Sequence, residues 1–288
     1  MEGLGGLATP IIMGILLGGL YALIAFGLSL VFGVMKLINI AHGDLVIFGS
    51  YIAYAVMTIW GIDPILSLIM GIPLLFIIGF AIQKYLMSRA FGISMEAPLI
   101  IAIGISLILQ NLTQIIWSPM SRGLTTSYSL GGFSLGGVNV PIVYLLDFAA
   151  ALVVMLLLRE FLRRTYLGKA ISAASQDKRG AHLMGINTGR VYAFAFAIAM
   201  ATAAVAGVFL GLTFPFTPTS GISFLIIAFG VVIIGGLGSM LGTFIGGIVL
   251  GLAQTLGGYF LGAAAQMLVA YLIVLVVLAV RPQGIFGR

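Results

Sequence analysis

Apolar residues along this chain fall into long runs separated by polar breaks, near 8–34, 40–60, 65–84, 97–117, 141–162, 191–213, 222–238, 243–260 and 264–280. A helix needs about 20 such residues to cross a bilayer. The pattern predicts an all-α integral membrane protein, a polytopic bundle of about 8–10 transmembrane helices with nine as the central count. The glycine-rich pair at 222–260 and the long first run are where that count is open by one.

The polar breaks give an orientation. Arg163, Arg164, Lys169, Lys178, Arg179 and Arg190 follow the fifth run, and clustered bases mark cytoplasmic loops. Counting outward from that loop puts Lys36, Lys84, Arg89, Arg281 and Arg288 on the same side. The segment 118–140, with Arg122 as its base, falls outside, as do the loops at Asp63–Pro64 and 214–221. The basic clusters agree on a periplasmic N-terminus and a cytoplasmic C-terminus.

Composition closes off other classes. The chain is 61% apolar and 7% charged, whereas soluble domains average about 45–50% and about 25%. Seven acids and thirteen bases cannot cover a soluble domain of 288 residues. The net charge of +6 suits cytoplasmic loops and not a nucleic-acid groove, because six of the thirteen bases lie between Arg163 and Arg190. No cysteine is present, which excludes disulfides and thiol chemistry. Glu2 and the length of the first run argue against a cleavable signal.

Glycines four apart, at Gly14/Gly18, Gly207/Gly211, Gly247/Gly251, Gly258/Gly262 and Gly238/Gly242/Gly246, predict close helix packing. The stretch Gly235–Ser239 has no following Lys and is no phosphate loop, so the chain is not expected to hydrolyse ATP itself. Ile24-Ala25-Phe26-Gly27 recurs as Ile227-Ala228-Phe229-Gly230, a thin hint of an internal repeat.

Catalytic and metal-binding constellations are poorly supported: His42 and His182 are far apart, and no Ser/His/Asp arrangement stands out. The informative membrane stretch is Lys36–Asp44, which sets Asn39, His42 and Asp44 between apolar runs. Polar groups in lipid cost about 2.5–3.5 kcal/mol on insertion scales. These residues are read either as an interfacial turn with Asn39 capping the second helix, or as a path lining or gate near the cytoplasmic end. Gln110, Asn111 and Gln114 form a second polar stripe, and Gln254 is a further path candidate, with packing glue as the alternative for each. Asp147 is a candidate of lower weight near the outer end of its run, and Pro73 is expected to kink the third. No carboxylate is expected near the centre of a span, which argues against a proton- or sodium-coupled carrier.

The loop 163–190 reads as one short amphipathic helix stopped by Gly185. Leu167, Ala170, Ile171, Ala174, Ala181 and Met184 form its apolar side, which needs a cover, either a docked partner protein or lipid headgroups.

At this point a resemblance enters. Gly33-Val34-Met35-Lys36-Leu37-Ile38-Asn39-Ile40-Ala41-His42-Gly43-Asp44 resembles a motif of bacterial ABC-transporter permeases of the branched-chain amino-acid type, in particular the LivH-like member of LivH/LivM pairs. The pattern of Gly168, Ala170, Ala173, Asp177, Ala181, Leu183, Gly185, Ile186 and Asn187 resembles that family's ATPase-coupling segment. The resemblance covers essentially the whole chain. It implies a single transmembrane permease domain, 1–288, in the bacterial inner membrane, with 163–190 as a cytoplasmic coupling loop. Within that loop it assigns ATPase contact to Gly168, Lys169, Ala170, Ala173, Ala174, Asp177, Ala181, Leu183 and Gly185. It also implies a second permease subunit (LivM-like, or a copy of this chain), two cytoplasmic ATPases holding ATP and Mg²⁺, and a periplasmic or lipid-anchored solute-binding protein. No cofactor is expected in this chain, and no nucleic acid. One departure stands out: Ser172 occupies a position where many members carry Arg. Urea permeases share a similar motif, so branched-chain or other neutral amino acids and short amides both stay open as solutes. A self-sufficient secondary transporter is the reading from a different class.

Overall fold

The computed structural model describes residues 3–90, 94, 96–129, 131–135 and 138–287; Arg288, one of the bases used for orientation, lies outside them. The helices are α1 (Gly3–Met35), α2 (His42–Trp60), α3 (Leu68–Ala81), α4 (Ser88–Ala90), α5 (Ala97–Trp117), α6 (Ile142–Arg164), α7 (Tyr166–Gln176), α8 (Lys178–Leu183), α9 (Thr188–Thr213), α10 (Gly221–Gly235), α11 (Met240–Leu261) and α12 (Gln266–Val280). Every predicted apolar run is a helix. Among the described residues, eight helical stretches are long and apolar enough to cross a membrane, and α10, with 15 residues, is shorter. The bundle is thus polytopic and helical. Within 118–140, strands β1 (Gly132–Leu135) and β2 (Val138–Pro141) pair antiparallel with Phe133 opposite Val140, a hairpin that the hydropathy pattern does not announce. α3 continues through Pro73, and its winding changes further on, at the π-helical turn Ile82–Met87.

α1 and α9 form the axis of the bundle, and the apolar stretch of each is 78% buried. α1 lies against α11 along the predicted glycines: a Cβ on Gly18 would fall 2.5 Å from the Ile248 Cα, and one on Gly247 would fall 2.4 Å from the Gly18 carbonyl oxygen. Lipid is as apolar as the side chains, so membrane helices cohere through such close packing more than through hydrophobic exclusion. Gly207 of α9 makes the same kind of approach to Val46 and Ser50 of α2.

The packing follows an exchange. α1 packs on α9, α10 and α11, and α9 packs on α1, α2 and α3. α2 meets α5 as α10 meets α12. Swapping α1, α2, α3 and α5 for α9, α10, α11 and α12 reproduces these neighbours with chain direction reversed, the arrangement of inverted-topology repeats. The tetrapeptide echo was a false lead: it pairs α1 with α10, two helices that run the same way and are not counterparts.

Two helices start inside the bundle and not at its surface. α1 ends at Met35, Lys36 turns with φ +55°, and residues 37–41 climb back beside α1. His42 opens α2 opposite Ile24, eleven residues before the end of α1, a depth of about 16 Å at 1.5 Å per residue. α10 also starts at this level, since Gly221 touches Gly43 and Asp44. From that shared point α2 runs toward one face and α10 toward the other. The bases gather at the α1 C-terminal end: Lys36 lies near Ser239, Arg163 near Met240, and Lys84 near Arg190.

Gly247→Val should destabilise the bundle by about 1–3 kcal/mol, the range for overpacking a filled interface. Gly104, with nothing within 4 Å of an added Cβ, should accept Ala without loss. Thermal unfolding in detergent measures both.

Candidate functional site

The polar stretch Lys36–Asp44 starts at the basic end, where Lys36 is exposed, and runs from there into the bundle. Asn39, His42 and Asp44 are all buried. Ala41 takes the N-cap position without a side-chain cap, while the Asn39 Oδ1 accepts the Ala41 N–H at 3.2 Å. Asn39 thus shapes the entering turn and does not cap the helix. The His42 Nε2 lies 2.8 Å from the Ile24 carbonyl oxygen. A carbonyl can only accept, so Nε2 carries the hydrogen and the bond ties the re-entrant segment to α1. The His42 Nδ1 and the Asn39 Nδ2 are buried without partners.

Asp44 is the centre of the arrangement. Ser106 donates its hydroxyl to the Asp44 Oδ2 at 2.5 Å, and the Gln110 amide donates to Oδ1 at 3.1 Å and to the Ser106 hydroxyl at 3.2 Å. Ser106 and Gln110 are the tenth and fourteenth of the 21 residues of α5, so the carboxylate lies beside the middle of a helix long and apolar enough to cross a membrane. The expectation that no acid sits near the centre of a span is therefore overturned. Asp44 opens α2 on its sequence side but lies deep because the chain climbs before the helix begins.

What holds a carboxylate there is visible in the backbone. Asp44 lies in the first turn of α2, and its Oδ1 is 2.1 Å from where a Cβ on Gly221 would stand. Two helix N-termini converge on it, each equivalent to about half a positive charge. The approach needs both glycines, since a Cβ on Gly43 would lie 2.0 Å from the Gly221 carbonyl oxygen.

Outward of Asp44 the bundle closes with aromatic rings. Tyr51, two turns further along α2, packs on Trp117 at 5.1 Å and on Phe216 at 5.0 Å, centroid to centroid. Arg122 pins this layer by donating to the Tyr54 hydroxyl and the Trp117 carbonyl, each at 3.1 Å. Sideways the site is more open. Gln110 and Gln114 are half-buried, and Asn111 is exposed, donating to the Leu107 carbonyl of its own helix at 2.8 Å. Gln254 lies elsewhere, buried between α11 and α1, where its Oε1 accepts the Tyr21 hydroxyl at 2.5 Å. Asp147 is fully buried and accepts the Thr213 hydroxyl at 2.7 Å. Sequence reasoning missed Ser106, detectable as the residue four before Gln110, and Gly221, which had been placed in an outer loop.

The loop 163–190 departs from its expected form. It contains two helices, because Asp177 breaks the winding and caps α8 by accepting the Arg179 N–H at 2.8 Å. Gly185, with φ +80°, follows the end of α8 close to where the stop was expected. Its small apolar residues need no external cover: Ala170, Ile171, Ala174 and Ala181 are buried in the chain's own core, with α7 against α1, α6 and α9. Gly168 packs on Phe161 and Leu162. Ala173 is half-buried. Ser172 donates to the Gly168 carbonyl at 3.0 Å and lines a cavity beside Arg159 and Arg163, so it faces the bundle. The outward surface carries Tyr166, Leu183 and Met184, which are 85%, 86% and 83% exposed. Lys169, Lys178, Arg179 and His182 are exposed around them.

Residues 11–278 match the protein family described as branched-chain amino acid transport system / permease component. The chain is 34% identical to the high-affinity branched-chain amino acid transport system permease protein BraD of Pseudomonas aeruginosa, with 96% of this chain and 95% of that one aligned. It is 32% identical to the corresponding protein LivH of Escherichia coli, over 96% and 94% of the two chains. A probable branched-chain amino acid transport permease LivH of Methanocaldococcus jannaschii is 29% identical over 95% and 90%. Among solved structures, PsaBC from Streptococcus pneumoniae in complex with Fab aligns with a TM-score of 0.53 at 15% identity, covering 99% of this chain and 95% of that one, a likeness of fold.

Ser106→Ala strips a donor from a buried carboxylate and should cost about 1–3 kcal/mol. Asn111→Leu, on the exposed face of the same helix, should be near neutral. Thermal unfolding of the two variants side by side separates these outcomes.

Proposed function

Because the chain belongs to the family of branched-chain amino acid permease components, we propose that it is the membrane subunit of an ATP-driven importer for branched-chain or other neutral amino acids. The observation that carries the solute assignment is the Asp44 carboxylate at mid-membrane, on the half-open side of α5. A zwitterionic amino acid presents an ammonium group, and a desolvated carboxylate is its natural counter-charge. An apolar side chain suits the surrounding wall. Urea carries no cation and makes no such demand. In this reading the path runs along Gln110, Asn111 and Gln114, faced by a second permease subunit that is either a LivM-like chain or another copy.

Coupling uses the 163–190 hairpin. Tyr166, Leu183 and Met184 expose large apolar surface beside bases, and that combination suits a docked protein. Separate ATPases holding ATP and Mg²⁺ cover it from the cytoplasm, which sets the N-terminus outside. A solute-binding protein delivers from the opposite face. Ala170, Ala174 and Ala181 contribute by locking the hairpin onto the bundle, so that motion of the motor reaches α1, α6 and α9. No catalytic step falls to this chain.

A second reading has one observation in its favour: a buried mid-membrane acid also suits an ion-coupled carrier. Reconstitution decides. The chain, with its partner permease, ATPases and binding protein in liposomes, should take up leucine only with ATP. Asp44→Asn should lower uptake at least about tenfold, or 1.4 kcal/mol, while basal ATP hydrolysis persists. Leu183→Asp should abolish the stimulation of hydrolysis by binding protein and leave the fold intact. Uptake by this chain alone, driven by a proton or sodium gradient, overturns the importer.

A further inference from the structure

A cleft of about 540 Å³ opens at the basic end of the bundle, between the last turns after α3 and the first turn of α9. Lys84 and Arg190 flank it, Ser88 lies on its rim with its hydroxyl donating to the Lys84 carbonyl, and Phe80 and Phe194 form an apolar wall with their centroids 5.2 Å apart. No acid lines it. Among the described residues, neither Lys84 nor Arg190 has an acidic partner; the recorded ion pair is Arg164–Glu160. The Lys84 ammonium lies over the rings of Phe80 and Tyr85, at 5.7 and 5.2 Å from their centroids. At the start of α9 the Arg190 N–H is capped by the Asn187 Oδ1 at 3.1 Å, which leaves the Thr188 and Gly189 N–H groups as those without a partner within the helix.

The surroundings decide what such a cleft takes. Along α3 and the π-helical turn, Leu74, Ile77, Tyr85 and Leu86 are exposed, in a stretch apolar enough to face lipid. The cleft therefore opens on the hydrocarbon boundary, with its two cations at the level where the apolar helix ends. A free anion would use the charges and leave the aromatic wall idle. A lipid uses both, with phosphate between the bases and acyl chain against the rings. Basic pockets between membrane helices are suited to anionic headgroups, at about 1 kcal/mol per base.

We propose that this cleft binds the headgroup of an anionic phospholipid, drawn from the leaflet at the basic end of the bundle, and that the lipid clamps the end of α3 to the start of α9. The site is separate from the Asp44 cluster and does not rest on the solute or the motor.

The full-length chain, purified in detergent, is titrated with phosphatidylglycerol and with phosphatidylcholine, and bound lipid is counted by native mass spectrometry. Phosphatidylglycerol should bind preferentially. The double variant Lys84→Ala/Arg190→Ala should bind it about thirtyfold more weakly, the equivalent of about 2 kcal/mol at 1.4 kcal/mol per tenfold. Lys84→Arg should retain binding. Both side chains are exposed, so the variants should keep the parent's helical circular dichroism. Lys169→Ala/Lys178→Ala, removing two exposed bases at the same end outside the cleft, should leave binding unchanged. An equal loss in that control reduces the effect to diffuse surface charge and overturns the proposal. So does the absence of any preference over phosphatidylcholine. Inorganic phosphate displacing the lipid at the same half-saturating concentration would make this a soluble-anion site, and would overturn it as well.

Discussion

The constraint that organises this protein is a carboxylate kept in the middle of a membrane. An acid at the centre of a span is costly on any scale, and the cost is offset here by particular groups. Asp44 accepts from Ser106 and Gln110, and the first turns of α2 and α10 converge on it. For two helices to begin at one interior point, the chain must enter from opposite faces without helical backbone. Residues 37–41 do this from one side, and the segment before Gly221 does it from the other. The shortness of α10 and the missing side chains at Gly43 and Gly221 are parts of one solution.

Around that point the chain is built as two oppositely directed halves that share the α1–α9 seam. α6 stands outside the exchange and leads into the 163–190 hairpin, so the element that leaves the membrane is also the one without a counterpart. The hairpin is stitched to three helices by small buried residues and presents its large apolar residues outward. Burial and exposure thus divide the segment into an anchored face and an exposed apolar face. A uniform amphipathic helix would not make that division.

Much of this was legible in the sequence. Long apolar runs name their helices, and bases collected at one end fixed relative directions that the packing reproduces. Glycine spacing marked the residues through which α1 and α11 meet, though not which helices would pair, because close approach needs a missing side chain at both partners. What failed was depth. Hydropathy counts residues along the chain and assumes that each helix starts at a surface, so Asp44 looked peripheral and the depth of Gly221, at the inner end of the loop 214–221, went unseen. The hairpin's apolar face was identified by periodicity except at Met184, which is exposed, and its buried part is covered by the chain's own helices, since a periodic pattern says that a face is buried and not by what. The inverted relation between the halves left no matching residues to find, because helix packing preserves direction and contact and tolerates almost any apolar side chain.

The adjoining starts of α2 and α10 have a mechanical consequence. Two rods pinned near one end each, and pointing to opposite faces, form a scissor whose fulcrum is the Gly43–Gly221 contact. Rotation about that contact swings the far end of α2 and the far end of α10 in opposite senses. Because Asp44 sits at that contact, such a rotation would move it least and the far helix ends most. A solute held at Asp44, as proposed above, would then stay in register with its counter-charge while access passed from one side of the membrane to the other.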